Sequence, residues 1–202
     1  MQGSHLEQLV EAVLGRIFVP LEASGRHVHV TKEQAVILFG HDLTPERPLS
    51  QPGQFLAKER VTVLGRKGRF ENVAVLGPAR KEAQVEVSMT DARSLGVAAP
   101  LRLSGDVKGS PGIRICGERG EVALPEGVIV AKRHIHMTPE DARRFHVCDK
   151  QVVSLKTFTE RPLVFEDVTV RVSNDFATYA HLDYDEANAC GFRAGDLGRI
   201  LP

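Results

Sequence analysis

The chain repeats itself, and the repeat restricts it to folds made of two related halves. Gly25-Arg-His-Val-His-Val-Thr31 matches Lys132-Arg-His-Ile-His-Met-Thr138. Further along, Phe70-Glu-Asn-Val-Ala-Val75 matches Phe165-Glu-Asp-Val-Thr-Val170. With the same offset, Val85-Glu-Val-Ser-Met-Thr-Asp-Ala92 aligns with Ala180-His-Leu-Asp-Tyr-Asp-Glu-Ala187, and Gly96 with Gly191. Internal similarity of this kind marks a duplicated structural unit. Each half reads as a His-x-His strand, a capped helix, further strands, a ligand-type residue and a second capped helix. The stretch Gly105–Glu121 has no partner and reads as an insertion.

Local signals give the elements. Thr31 and Thr138 suit helix N-caps, Pro139 suits the first helical position, and Glu33 and Glu140 favour the first turn. Gly96 and Gly191 suit C-caps. The runs Arg60–Leu64, Asn72–Leu76, Gln84–Ser88, Val128–Ala131, Val152–Leu155 and Val168–Val172 are β-branched and bounded by turn residues, which predicts short strands. Helical pieces are brief, so the expected fold class is mainly β: two related β-barrel domains capped by short α-helices. Leu6, Leu9, Val10, Val13, Leu14 and Ile17 share one face at helical spacing, predicting an N-terminal helix over 1–17.

Composition narrows the function. Acidic and basic residues balance to a net charge of zero and there is no Trp. That argues against nucleic acid, which calls for a basic footprint and stacking rings. No apolar run approaches the ~20 residues of a membrane span. The three cysteines, Cys116, Cys148 and Cys190, form no Cys-x-x-Cys pair, so a disulfide framework is not expected. Met1–His5 has the look of an expression remnant.

The histidines carry the chemistry. Residues two apart on a strand face the same way, so His27 with His29, and His134 with His136, each aim two imidazoles at one point. Neutral imidazole is a good ligand for zinc and other late first-row metals. The repeat supplies the third ligand, because Glu86 and His181 occupy equivalent positions and both types bind zinc. The expected sets are His27, His29 and Glu86, and His134, His136 and His181. They use five of the eight histidines; His5, His41 and His146 fit no pattern. A cupin-like set through Glu33 is disfavoured, since Thr31 as N-cap puts Glu33 in a helix.

A longer string of residues resembles a known family. Arg26-His-Val-His29, Leu49-Ser-Gln-Pro-Gly-Gln-Phe55, Ala57-Lys-Glu59, Leu76-Gly-Pro-Ala-Arg80, Gln84-Val-Glu86, Ser104-Gly-Asp106, Gly109-Ser-Pro-Gly112, Ala131-Lys-Arg-His-Ile-His136 and Asp185-Glu-Ala-Asn-Ala189 are similar to the PduL-type phosphate propanoyltransferases. These are phosphotransacylases of bacterial microcompartments, associated with propanediol degradation. The resemblance covers about residues 18–202. It implies reversible conversion of acyl-CoA (propanoyl-CoA or acetyl-CoA) and phosphate to acyl phosphate and CoA at a dinuclear metal site. It implies two zinc ions on the six ligands above, Arg80 as the phosphate-binding catalytic residue, and coenzyme A contacts near Ala23, Ser24, Gly25, Lys67 and Asn188. It further implies a homodimer or larger homo-oligomer, microcompartment shell or cargo partners, and a bacterial cytoplasmic, microcompartment location. The first strand can join the barrel of the second half in that family. The domains expected are therefore 24–131, and 18–23 plus 132–202. The chain departs from the family pattern at Ala74 and Met89, where basic residues are frequent.

Physical chemistry supports these roles without fixing them. The Arg80 guanidinium is a planar fork suited to phosphate, though a surface ion pair is equally natural for such a residue. Lys67 sits in the basic turn Gly65-Arg-Lys-Gly68, which reads either as a solvated hairpin or as a phosphate contact. Asn188 suits a helix cap as well as a ligand contact. Cys190 aligns with Leu95, so it reads as a packed core thiol, and phosphate is expected to attack the thioester directly. Two alternatives use the same ligands: a metal-dependent hydrolase of thioester or phosphate-containing substrates, and a structural metal staple.

Overall fold

Each His-x-His segment becomes a short buried strand held between one parallel and one antiparallel neighbour. In the computed structural model, which describes residues 13–15 and 17–201, β2 (His27–His29) pairs in parallel with β5 (Arg69–Gly77) and antiparallel with β6 (Gln84–Val87). In the second half, β11 (His134–Met137) pairs in parallel with β13 (Val164–Val172) and antiparallel with β14 (Tyr179–Asp183). The registers correspond as well. Val28 faces Val75 and Val85, and Ile135 faces Val170 and Ala180. The duplication seen in the sequence is thus a duplication of strand order and register.

The two copies share a bend. Asn72 and Asp167 occupy equivalent positions, and both have φ of 56°. Each accompanies a register shift against the preceding strand, β4 (Phe55–Leu64) in one copy and β12 (Val152–Phe158) in the other. Asn and Asp tolerate left-handed φ better than most residues, and a bulge of this type increases local twist.

Closure separates the copies. The six strands β1 (Val19–Ser24), β14, β11, β13, β12 and β15 (Leu197–Leu201) form a closed barrel. Pairing of Val19 with Gly198 and Pro20 with Leu197 completes it. The other sheet has nine strands and stays open. There β4 pairs with β8 (Ile113–Cys116), which pairs with β9 (Glu121–Leu124), while β6 pairs with β10 (Val128–Ala131), which pairs with β7 (Leu101–Arg102). β3 (Pro45–Pro48) adds to β4. The mainly β fold with short capping helices is as expected, one unit being a closed barrel and the other a curled half-barrel. The insertion supplies β8, which pairs with β4 and with β9.

The chain divides into two compact units. The open-sheet unit is Ser24–Lys132 with Asp183–Asp185; the barrel unit takes the described residues up to Ala23, Arg133–Leu182 and those from Glu186 onward. The open-sheet core centres on Val28, Val30, Leu38, Val75, Leu95, Ile115, Val128 and Val130. The barrel core centres on Val19, Leu21, Ile135, Met137, Leu155, Val168, Val170 and Leu182. Val28 and Ile135 belong to these cores, which is why the flanking histidines point away from them.

The helices follow their capping signals. α1 (Lys32–Phe39) begins at Thr31, whose side chain accepts from Gln34 while Gln34 returns a bond to the cap backbone. α2 (Met89–Leu95) has the same reciprocal cap between Ser88 and Asp91 and ends at the left-handed Gly96. α3 (Pro139–Arg144) starts at Thr138 with Pro139 in first position. α4 (Tyr184–Cys190) ends before Gly191, whose φ is 66°. Of the N-terminal helix expected over 1–17, residues 1–12 and 16 lie outside the described residues. Val13 and Leu14 are helical and exposed.

Candidate active site

Strand register assembles two groups of metal-type donors, one in each unit. His27 stands directly across from Glu86, and His134 directly across from His181. In each group the ligand atoms of all three residues lie within 4.8 Å of one another, and all six residues are buried. Zinc takes imidazole nitrogens at ~2.0–2.1 Å in tetrahedral geometry.

The outer hydrogen bonds suit this use. His27 Nδ1 lies 2.8 Å from the Gly25 carbonyl, and His29 Nδ1 lies 3.1 Å from the Leu76 carbonyl. His181 Nδ1 is 3.2 Å from Glu22 Oε2. A protonated Nδ1 held by an oxygen leaves Nε2 bare and aimed inward, which is the usual second-shell arrangement of metal-ligating histidine. In the barrel unit the His134 and His181 rings stack at 4.9 Å, and Phe176 stacks on His136 at 4.0 Å.

Electrostatics distinguish the residues of the open-sheet group. Burial pushes the Glu86 carboxyl up, but the charge and hydrogen bond of His27, helped by His29 and Ser104, outweigh it and hold the group well below the carboxylate range. Burial pushes His27 down, yet Glu86 and the Gly25 carbonyl leave it above its ordinary value. His29 is held well below its ordinary value by burial, then by His27 and Arg80. Glu86 is therefore an anionic donor at neutral pH, and His29 a neutral one.

Arg80 joins this group through a polar chain. Its backbone N–H donates to the Val30 carbonyl at 2.9 Å, and Nη1 donates to Ser104 Oγ at 3.3 Å. Gln84 Nε2 donates to Ser104 Oγ at 2.9 Å and also to Glu86 Oε1. The Gly105 N–H donates to Gln84 Oε1 at 2.7 Å. Beside it lies a cavity of about 380 Å³ lined by Arg80, Lys81, Glu82, Ala83, Gln84, Gly105 and Val107. A cationic fork thus borders an open space and connects by hydrogen bonds to the carboxylate of the donor group.

The remaining candidates are spread over both units. Ser24, Gly25 and Lys67 fall in the open-sheet unit, Ala23 and Asn188 in the barrel unit. Lys67 lies in the turn between β4 and β5, and its stem covers Gly96. It sits beyond Arg69, the first residue of β5, whereas Ala74 of that strand pairs with His27. Lys67 is therefore away from the Glu86 group. Gly25 is pressed by Tyr184, whose ring carbon lies 2.6 Å from where a Cβ would sit. Met89, a departure noted above, is an exposed first residue of α2.

Sequence reasoning did not single out Gln84, Glu22 or Tyr184. Gln84 carried a usable signal: it lies two residues before Glu86 on β6 and so shares its face. Glu22 carried none, because its partner His181 is distant in sequence.

A mainly β chain with two buried histidine-rich groups has donor types suited to metal ions, and its arginine-lined cavity is suited to an anion. The comparisons name the family. A model of the phosphate propanoyltransferase family matches residues 20–193. The chain is 52% identical to a phosphate propanoyltransferase of Clostridioides difficile (strain 630) over 202 residues, covering 97% of each. It is 52% identical to one of Listeria monocytogenes over 98% of this chain and 94% of the relative. With one of Thermotoga maritima the identity is 53% over 88% and 86%. The chain belongs to the phosphate propanoyltransferase family and is an acyltransferase enzyme.

Proposed function

We propose that this chain is a zinc-dependent phosphotransacylase that converts propanoyl-CoA, or acetyl-CoA, and phosphate to acyl phosphate and CoA. The observation that carries the reaction is the family match across residues 20–193. Two buried three-donor groups at equivalent strand positions support two zinc ions, with His27, His29 and Glu86 holding one and His134, His136 and His181 the other. A bound zinc supplies Lewis-acid polarisation and a site for an anionic oxygen or thiolate.

The chain's own residues do the rest. Arg80 binds phosphate with its guanidinium fork, held in place by Ser104. Gln84 fixes Ser104 and Glu86 together, so the phosphate side and the carboxylate keep one spacing. A phosphate oxygen forms the new bond to the thioester carbonyl carbon. The carbon–sulfur bond breaks, and CoA leaves with the electron pair as its thiolate. Holding phosphate against the carbonyl supplies the proximity that two free solutes lack.

The cysteines favour direct attack over an acyl-enzyme. Cys190 is buried, burial raises its thiol, and its Sγ donates to the Ala187 carbonyl at 3.4 Å. Burial and Glu121 also raise Cys116. A raised thiol is a poor nucleophile at neutral pH. The CoA contacts at Ala23, Ser24, Gly25, Lys67 and Asn188, a homodimeric or larger assembly, and residence in a bacterial microcompartment complete the proposal. Mass photometry of the purified chain tests the assembly.

One assay tests the reaction. Propanoyl-CoA is mixed with enzyme, with and without phosphate, while CoA release and acyl phosphate are followed. The expected result is CoA release that requires phosphate and matches acyl phosphate mole for mole. Thioester loss without phosphate would identify a hydrolase instead. No turnover by zinc-loaded protein would leave the ions a structural role.

A further inference from the structure

Both His-x-His strands are preceded by an arginine that reaches the same two kinds of partner. Arg26 Nε and Nη2 donate to the two Asp91 carboxylate oxygens at 3.0 and 2.8 Å, and its guanidinium lies 4.0 Å from the Phe70 ring centre. In the barrel unit, Arg133 Nη1 donates to Glu186 Oε1 at 2.6 Å, and its guanidinium lies 5.7 Å from the Phe165 ring. Asp91 aligns with Glu186, and Phe70 with Phe165. The arginine, acid and ring therefore recur as a set in both copies.

Some neighbours of these strands differ between the copies. The third donor is Glu86 in one and His181 in the other. The residue across from the second histidine is Gln84 in one and Tyr179 in the other. Both copies retain the histidine pair together with the arginine, acid and ring.

The local geometry connects them. The Gly25 carbonyl, 2.8 Å from His27 Nδ1, belongs to the peptide bond between Gly25 and Arg26. Its direction is fixed by the backbone that the Arg26 side chain anchors to α2 and β5. In the second copy the Arg133 carbonyl accepts from the Thr169 N–H at 3.3 Å, and Arg133 Nε donates to the Glu166 carbonyl at 2.7 Å. That arginine pins the entry of β11 to the strand opposite His134. A lysine keeps the charge but lacks the planar fork that holds two oxygens at once.

We infer that Arg26 and Arg133 are positioning residues, each holding the histidine pair of its own unit in metal-binding geometry. The inference rests on the two-metal reading above. It predicts an effect that a general loss of stability does not produce, namely unit-specific loosening of one ion at a time.

The test uses the full chain loaded with zinc, and Arg26→Lys and Arg133→Lys variants loaded in the same way. Zinc release to excess chromogenic chelator is followed in time, with thermal unfolding of the metal-free proteins in parallel. Second-shell losses at metal sites cost about tenfold to a hundredfold in affinity. Each variant is therefore expected to lose one of two zinc equivalents at least tenfold faster while the other leaves at the wild-type rate. The fast equivalent should belong to the His27 group in Arg26→Lys and to the His134 group in Arg133→Lys. His29→Ala and His136→Ala in each background assign the equivalents. Unchanged release of both ions in either variant would overturn the inference, as would equal acceleration of both. A lowered unfolding midpoint with unchanged release would assign the arginines to fold stability alone. If the wild-type chain takes up no zinc, the metal reading itself fails, and that result is separate from the behaviour of the variants.

Discussion

Replacing Glu86 discriminates a true ligand from a buried ion-pair partner. The carboxylate stands 3.6 Å from His27 Nε2 and directly across the strand pair from it. Structural zinc sites with four ligands are worth ~10–16 kcal/mol, so each ligand carries roughly 3–4 kcal/mol. Glu86→Ala removes one ligand and should weaken zinc at that group by roughly 10²–10³-fold. Glu86→His should restore most of it, because the equivalent position already holds His181 across from His134 in matching register. Zinc content after dialysis against graded chelator measures both, with circular dichroism as a folding check. Glu86→Ala should leave one zinc per chain and Glu86→His two. The reasoning is refuted if Glu86→Ala keeps both ions at wild-type affinity, or if the histidine performs no better than the alanine.

Other outcomes follow from the same geometry. Arg80→Ala should raise the phosphate KM by roughly 10–100-fold, since a charge-assisted bond is worth about 1.5–3 kcal/mol; an unchanged phosphate dependence in initial-rate assays removes Arg80 from the site. Cys190→Ala should retain turnover at a stability cost of about 1 kcal/mol, read by urea unfolding beside the activity assay, whereas abolished turnover in a folded variant would point to an acyl-enzyme. Gly25→Ala should displace Tyr184, whose ring leaves no room for a Cβ, and lower activity more than it lowers the unfolding midpoint. Zinc uptake should also depend on pH. His27 is raised above its ordinary value by Glu86 and the Gly25 carbonyl despite burial, and zinc requires it neutral. Affinity should therefore fall as pH drops through that raised value, with proton release on loading measurable in weakly buffered solution; pH-independent affinity between 6 and 8 would contradict the protonation argument.

The grouping of these donor residues was legible because each group rests on two short-range rules that survive folding. Alternation along a strand put two histidines on one face, and the internal repeat supplied the third residue. The observed register then placed Glu86 and His181 opposite the first histidine of each pair. Helix starts at Thr31 and Thr138 were equally local, since a cap is a contract between a side chain and the next turn. Closure was not legible. Whether flanking strands meet depends on which edges they find, and the insertion diverts β8 to β9 while β1 reaches β15 in the other unit. The Gln84 network was half legible, because its face was predictable but its partners Ser104 and Gly105 lie 20 and 21 residues away.

The two donor groups differ in where they keep their carboxylate, and this bears on how they divide the work. In the open-sheet unit Glu86 is itself a donor, while His27 and His29 are oriented by backbone carbonyls. In the barrel unit the donors are three imidazoles, and the carboxylate of Glu22 sits one layer out, 3.2 Å from His181 Nδ1. A carboxylate behind a histidine makes that imidazole a stronger donor without placing its full charge on the metal. A metal held by the barrel group would therefore present a higher net charge to an incoming ligand. An anionic thiolate or phosphate oxygen gains more from that metal than from one already half neutralised. Arg80 and the hydrogen bonds through Ser104 and Gln84 lie with the open-sheet group. A weaker attraction there would be offset by a guanidinium, a group suited to phosphate by shape as well as charge. On this argument a metal at the three-histidine group would be the stronger site for an anionic sulfur. Cobalt loaded at the three-histidine group should then show thiolate charge-transfer absorption on adding CoA. The same CoA addition should leave the spectrum of cobalt at the Glu86 group unchanged, and a charge-transfer band there instead would reverse the assignment.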